Sequence, residues 1–347
     1  MSSAPRVAVA GAGVFGLATA LALARGGARV RLHDPGSAQA NASGVAAGML
    51  APVSEALTDP AAAPHLDLLT AALRLWPDFA QAVGLSLHRA GAILLGDGER
   101  LSQLARAQAA FGLEPARLAR VDFPDFNGGY APELAGGLKI SGDWRVDAGG
   151  LGRLSAAVSA LGVEHCVAAP DRADYDLLVL ATGPSRDYAG LAPELAVLSP
   201  IKGHILSYPG LVYGGPVLRG PGAYAAPSER GLLVGATMEV GQRDPAVDPV
   251  VAEHLAAQAS AIFPGLATQP WIAAAGVRAA TPDGLPLVGP VTAPGVILAC
   301  GARRNGWLLA PLVGQMAAAY ALGGDPGPWA RQLDARRFNS QPPEERG

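Results

Sequence analysis

The hexapeptide Gly11-Ala12-Gly13-Val14-Phe15-Gly16 constrains this chain more than any other segment, because it reads GxGxxG and lies between an apolar run and a helix-forming run. Arg6–Ala10 (RVAVA) reads as a buried parallel strand, Val14–Arg25 as a helix rich in Ala and Leu, and 28–33 (ARVRLH) as a second strand. That order is a βαβ unit. Gly11 permits the tight turn, Gly13 lets the backbone approach a pyrophosphate without a Cβ, and Gly16 allows close packing of helix on strand. Val14 and Phe15 open the helix, whose free N–H groups and positive end would face the phosphates. Asp34 ends the second strand, where a carboxylate accepts hydrogen bonds from a ribose diol. In a chain with 45 glycines a lone GxGxxG could be a packing turn; strand, helix, strand and terminal acid together make the signal specific for a dinucleotide. The glycines alone do not separate NAD from FAD.

The same region has a rival reading. Residues 7–24 are uncharged between Arg6 and Arg25 and end in Ala22-Leu23-Ala24, which mimics a leader-peptide cleavage site. Removing them would behead a complete βαβ unit, so they are expected to be core. No other stretch reaches the roughly 20 apolar residues of a membrane span, because Gly, Pro or charge interrupts each one. The 29 acidic and 26 basic residues leave a net charge of −3 with no basic block, so the footprint of a nucleic-acid binder is missing and a small-molecule substrate is favoured. Cys166 and Cys300 lie far apart and outside any CxxC spacing, which suggests neither a disulfide framework nor a thiolate zinc site and fits a reducing cytoplasm. The six histidines form no HxxxH or HxxE cluster, so no metal is implied, and there is no GxSxG nucleophile elbow.

At 347 residues, against roughly 150 for a typical domain, two domains are expected. Residues 65–83 carry apolar positions at helical spacing, with Pro77 ending or kinking the helix. Strands are expected at 92–95 and 176–180 (DLLVL), the latter ending at Ala181-Thr182-Gly183, and a helix at 101–111. Short alternating segments over 201–240 suggest an antiparallel sheet, with an amphipathic helix at 250–262. A turn at Thr281-Pro282-Asp283-Gly284, a strand at 296–299 and a helix from about Pro311 to Leu322, stopped by Gly323-Gly324, complete the chain. The fold class is therefore α/β, a two-domain α+β arrangement of a Rossmann-like dinucleotide-binding domain and an antiparallel-sheet substrate domain.

With the fingerprint placed, residues 41–52 (NASGVAAGMLAP), 199–204 (SPIKGH), 276–289 (GVRAATPDGLPLVG) and 301–311 (GARRNGWLLAP) together resemble the D-amino-acid oxidase superfamily, and within it the glycine oxidases of thiamine biosynthesis. The likeness is collinear from about residue 7 to residue 331. It implies FAD, with residues 1–80, 143–200 and 272–337 forming a discontinuous FAD-binding domain, 81–142 and 201–271 the substrate domain, and 338–347 a flexible tail. By resemblance, Gly11, Gly13 and Gly16 hold the pyrophosphate, Asp34 the adenosine ribose, and Ser43, Gly48 and Met49 the flavin and ribityl side. Val167, with Val163 as a rival alignment, meets the adenine; Thr182 and Gly183 match a turn near the dinucleotide; Gly306, Trp307 and Leu308 offer N–H groups to the pyrimidine end of the flavin.

For the substrate, Arg278 matches the arginine that clamps an amino-acid carboxylate, and Tyr224, Met238 and Arg304 match residues lining the same pocket. A planar guanidinium holds a carboxylate bidentately and keeps its charge. The ordinary readings are a structural ion pair for Arg278, a solvent-facing side chain for either Arg304 or its neighbour Arg303, a core aromatic for Tyr224 and a filler for Met238. Lys202, one of two lysines beside Lys139, invites a flavin or oxygen role or else is a surface amine. The sequence departs from the family at Ala302, Arg303 and Ser228, where His, an aromatic and Arg are common. Gly276 stands where covalently flavinylated relatives carry cysteine, so the FAD is expected to be non-covalent.

The resemblance implies oxidative deamination of glycine, a D-amino acid or sarcosine by hydride transfer to flavin N5, with O₂ as acceptor and imine or oxo acid, ammonia and H₂O₂ as products. No catalytic side chain is assigned, since a neutral amine needs no base. The rivals are a D-amino-acid or N-methyl amine dehydrogenase with another acceptor, an RNA-modifying flavoprotein of the same fold, and a flavin-binding subunit without turnover. A homo-oligomer is implied by the resemblance only.

Overall fold

The computed structural model describes residues 4–36, 41–147 and 149–339. A six-stranded sheet runs in the order Leu287–Pro290, Val296–Cys300, Leu177–Leu180, Arg6–Ala10, Arg29–His33, Glu164–Cys166. All neighbours are parallel except Leu287–Pro290 on Val296–Cys300. Apart from the exposed Arg6 at the start of its strand, the strands Arg6–Ala10, Leu177–Leu180 and Val296–Cys300 are apolar because both faces are covered. Residues 7–24 form the first strand and most of the helix Val14–Arg25, with Val7, Val9, Leu17 and Leu23 fully buried. They are core, as the βαβ reading requires. No described helix is long and apolar enough to cross a membrane.

The last helix packs along the first in one hydrophobic core. It spans Gly306–Leu322 and carries Pro311 inside, so it starts well before the expected residue 311. A proline in a helix interior costs about 3 kcal/mol, but this helix buries eleven of its side chains or backbone positions, among them Trp307, Leu308, Leu309 and Val313, and that packing outweighs the local penalty. Its end at Gly323, in the left-handed region, is as expected. Pro77 acts as its chemistry predicts: the segment splits into Leu66–Arg74 and Trp76–Val83, with the proline in the first turn of the second helix.

A nine-stranded sheet forms the other layer. Its spine is Ser199–Tyr208, paired along its length with Ile272–Ala280 and on its other edge with Glu239–Val240 and Gly231–Gly235. Tyr224–Ser228, Val217–Arg219, Ala92–Gly96, Gly136–Ile140 and Ala116–Ala119 continue the sheet. Helix Pro249–Ile262 covers one face through Leu255 and Ala259 against Leu206, Leu218 and Val234. The opposite face presents Ile205, Tyr224 and Leu233 toward Ala47 and Met49. Side-chain alternation along Ser199–Tyr208 thus separates a helix-covered face from a face turned to the dinucleotide loop.

Candidate active site

Two glycines of the fingerprint are demanded by the protein itself. Gly11 has φ +105°, and a Cβ there would lie 2.3 Å from Ala181 O; one on Gly16 would lie 1.8 Å from Gly11 O. Gly13 differs. It has φ −69°, and its Cβ would meet only Ser43 Oγ, at 3.4 Å. Neither backbone nor packing needs glycine there, so the space it leaves suits a group outside the chain, as a pyrophosphate cradle requires. Ser43 Oγ accepts from Val14 N–H at 3.0 Å, and Asn41 Oδ1 fixes that loop by accepting from Ser43 and Gly44 N–H. The Phe15 side chain is buried, leaving its backbone toward the turn.

Asp34 accepts from Ala12 N–H at 2.5 Å and from Gly36 N–H at 2.8 Å, so it also pins the glycine turn, and each oxygen keeps a further lone pair. His33 lies opposite Cys166, and Asp34 N–H donates to Cys166 O at 2.9 Å. The chain then passes to Val167, which is 73% exposed, whereas Val163 is buried in the core. The geometry therefore brings Val167, not Val163, beside Asp34. Thr182 and Gly183 follow Leu177–Leu180 at the carboxyl edge of the same sheet, with Thr182 Oγ1 buried and unpartnered among the described residues.

Gly306, Trp307 and Leu308 are the first three residues of the last helix, whose N-cap makes no side-chain bond. A Cβ on Gly306 would lie 3.6 Å from Val14 Cγ1, so the positive ends of two helices meet at the carboxyl edge of the parallel sheet. The Trp307 and Leu308 side chains are buried, and Trp307 Nε1 donates to Ser43 O at 3.0 Å. An orphaned hydroxyl, an unclaimed glycine space and two helix N-termini fit FAD in this cleft.

Beside it lies a cavity lined by Gly48, Met49, Glu55, Tyr224, Met238, Arg278, Arg304 and Trp307; it brings all four expected substrate-side residues together with Gly48, Met49 and Trp307 of the flavin-side set, while Ser43, Gly306 and Leu308 are not on its wall. Arg278 is half-buried and lies over Gly203, where a Cβ would come within 2.1 Å of its Nη2. Nη2 donates to Thr237 O at 2.8 Å, with Lys202 O at 3.5 Å. Burial and the nearby Arg304 lower its pKa, and among the described residues it forms no ion pair. A desolvated guanidinium held by carbonyls has charge and donors left over for an anion.

Arg304 turns to the cavity and Arg303 away from it. Arg304 Nε lies 2.9 Å from Glu55 Oε2, and its Nη1 donates to Met238 Sδ at 3.5 Å. Arg303, with φ 47°, pairs with Asp59. Glu55 also accepts from Arg219 Nη1 at 2.9 Å, and Arg219 Nη2 donates to Met49 Sδ at 3.3 Å. Burial alone would raise the Glu55 pKa, but the charges of Arg304 and Arg219 hold it at about 2. Behind this network, burial pushes Asp143 up to about 6, although Arg219 and the N–H groups of Val53 and Ser54 act against that shift.

Sequence reasoning missed Glu55 and Arg219. They are 164 residues apart, and the resemblance segment stopped at residue 52. Tyr224 is buried, its hydroxyl beneath Gly235, and burial raises its pKa. Met238, 36% exposed, sits at the cavity mouth. Lys202 fits neither reading made of it. It is buried, not a surface amine, and it alternates with Ile201 and Gly203, so it lies on the face turned from the cavity. A Cβ on Gly276 would meet Ala42 Cα at 2.9 Å, so the backbone leaves a cysteine little room there.

Comparison with known proteins agrees with this geometry. The sequence profile of the DAO family, FAD dependent oxidoreductase, matches residues 6–320. Glycine oxidase of Geobacillus kaustophilus is 29% identical, over 90% of this chain and 91% of that protein. The crystal structure of glycine oxidase from Geobacillus kaustophilus superposes with a TM-score of 0.83 at 25% identity, covering 96% of this chain and 99% of the other. A tRNA 5-methylaminomethyl-2-thiouridine biosynthesis bifunctional protein of a Caulobacter species is 32% identical over 97% of this chain, which spans 58% of that protein.

Proposed function

Because the chain belongs to the DAO family of FAD-dependent oxidoreductases, we propose that it oxidises a small free amino acid, glycine or a compact D- or N-methyl amino acid, and passes the electrons to O₂. Arg278 carries this reading: a guanidinium without a carboxylate partner among the described residues, lining a cavity beside the dinucleotide cleft. Its fork takes the substrate carboxylate and so sets which side of Cα faces the cleft. Arg304 shares the Glu55 carboxylate with Arg219, so it is held against the wall and is less free than Arg278 to take the substrate carboxylate. Tyr224 offers a neutral hydroxyl, since burial holds its pKa up. No histidine lines the described cavity, and a substrate amine that arrives neutral needs no side-chain base.

FAD, when bound by the fingerprint glycines, Asp34, Ser43 and the first turn of the last helix, supplies a two-electron acceptor that O₂ reoxidises with release of H₂O₂. The substrate leaves as an imine that water converts to oxo acid and ammonia, or to oxo acid and methylamine where the nitrogen carries a methyl group. A second reading, oxidation of an amine carried on tRNA, is favoured by the Caulobacter relative and opposed by the net charge of −3. A panel of free amino acids with coupled peroxide detection tests the proposal. Peroxide formation with glycine or a small D-amino acid is expected; no flavin reduction by any free amino acid would refute it, and reduction without peroxide in air would mark a dehydrogenase.

A further inference from the structure

We infer that His204 is a positioning residue: it fixes the Thr237 carbonyl to which Arg278 is tethered, and so sets the direction in which the guanidinium meets a substrate carboxylate. This rests on the carboxylate-clamp reading of Arg278. His204 is completely buried and lies on the face of Ser199–Tyr208 turned from the cavity, so it touches no substrate. Both ring nitrogens are used. Nε2 accepts from Asp248 N–H at 2.9 Å, and Nδ1 lies 2.9 Å from Glu239 Oε1 and 3.3 Å from Thr237 Oγ1. The backbone donor on Nε2 fixes the neutral tautomer, leaving the proton on Nδ1 to be donated to Glu239.

Thr237 is gripped by the same group. Its Oγ1 accepts from His204 N–H at 2.8 Å and donates to Glu239 Oε1 at 2.6 Å. Residues 236–238 lie outside the strands, between Gly231–Gly235 and Glu239–Val240, and the backbone bond from Thr237 N–H to His204 O is long, at 3.4 Å, so the main chain alone holds the Thr237 carbonyl only loosely. The His204–Glu239–Thr237 triangle sets its direction. That carbonyl receives the shorter of the two hydrogen bonds from Arg278 Nη2, 2.8 Å against 3.5 Å to Lys202 O. Misplacing a group that orients a substrate by about 1 Å can lower rates about a hundredfold, so a histidine on the far face of the sheet reaches the chemistry through one backbone carbonyl.

Two amide replacements separate the ring's roles. His204→Asn puts an amide N–H near Nδ1 and keeps the bond to Glu239 while losing the acceptor for Asp248. His204→Gln puts an acceptor near Nε2 and loses the Nδ1 donor. The readouts are FAD content, the KM and kcat for glycine, and the Kd of acetate from its perturbation of the flavin spectrum. With full FAD content, His204→Gln should raise the KM for glycine and the Kd of acetate by about tenfold, with a smaller change in kcat. His204→Asn should stay near the parent in both. Equal effects of the two variants, or an unchanged Kd in His204→Gln, overturn the inference. If neither variant folds, Thr237→Val decides, since it keeps the backbone and removes the hydroxyl: a raised Kd for acetate supports the inference and an unchanged one overturns it. Arg278→Ala is measured alongside. Loss of acetate binding there with no effect at His204 or Thr237 sinks the positioning role alone, whereas acetate binding that survives Arg278→Ala removes the clamp reading and this inference with it.

Discussion

Replacing Arg278 with Ala should leave the flavin in place and remove most of the activity. The guanidinium hangs on carbonyls of the substrate-side sheet, at 2.8 Å from Thr237 O, and makes no ion pair among the described residues, so its loss strands no buried carboxylate and should not unfold the protein. What it removes is the partner of the substrate carboxylate. Truncating one side of a desolvated, hydrogen-bonded charge pair costs about 2–5 kcal/mol, and each 1.36 kcal/mol is a factor of ten. The kcat/KM should therefore fall by roughly thirty-fold to several thousand-fold. Arg278→Lys should recover only part of this, because an ammonium restores the charge without the planar fork that orients Cα–H. The assay is steady-state oxidation of the best amino acid by protein with confirmed FAD content and melting temperature. Near-normal kcat/KM in Arg278→Ala would refute the clamp and make Arg304 the next candidate, although its pairing with Glu55 argues against it.

Gly13→Val should keep the melting temperature of the flavin-free protein but abolish FAD retention, because only Ser43 Oγ stands near the new Cβ; Gly16→Ala, driven into Gly11 O, should destabilise the fold itself. FAD retained by Gly13→Val would contradict the cradle. Glu55→Gln leaves Arg219 and Arg304 without their shared anion, a loss of about 3–5 kcal/mol for a buried pair, readable as a lower denaturant midpoint. The folded pKa of Glu55, about 2, lies below its ordinary 4.5. Its contribution is therefore complete above the ordinary value and lost as pH falls toward 2, and Glu55→Gln should lose that acid dependence. Asp143 has the opposite sign: its folded pKa, about 6, exceeds 3.8, so its contribution favours the native state at low pH and is lost as pH rises through 6. Asp143→Asn keeps an acceptor for Val53 and Ser54, so at neutral pH its melting temperature should equal or exceed the parent's, with the gap closing in acid; a large loss at neutral pH would show the charge is needed.

The elements legible in the sequence were those with local causes. Arg6–Ala10 and Val14–Arg25 announce themselves by an apolar run, a glycine turn and a helix-forming stretch, and Pro77 marks its own helix break. Pro311 misled for the same reason, since a local rule cannot see the burial that carries a helix through a proline. Arg278 was legible through its turn motif, but which of Arg303 and Arg304 faces the cavity is decided by Asp59 and Glu55, both remote in sequence. Glu55 and Arg219 carried no signal because each looks like an ordinary charged residue until the fold buries them against one another. Lys202 looked functional by rarity alone, and strand alternation turned it to the other face.

The most direct test of the whole account is anaerobic mixing of the purified, FAD-loaded protein with glycine and small D-amino acids while the visible flavin band is followed. Bleaching of that band by at least one of them, reversed on admitting air with formation of H₂O₂, is the predicted result; a flavin that stays oxidised with every free amino acid would contradict the assignment.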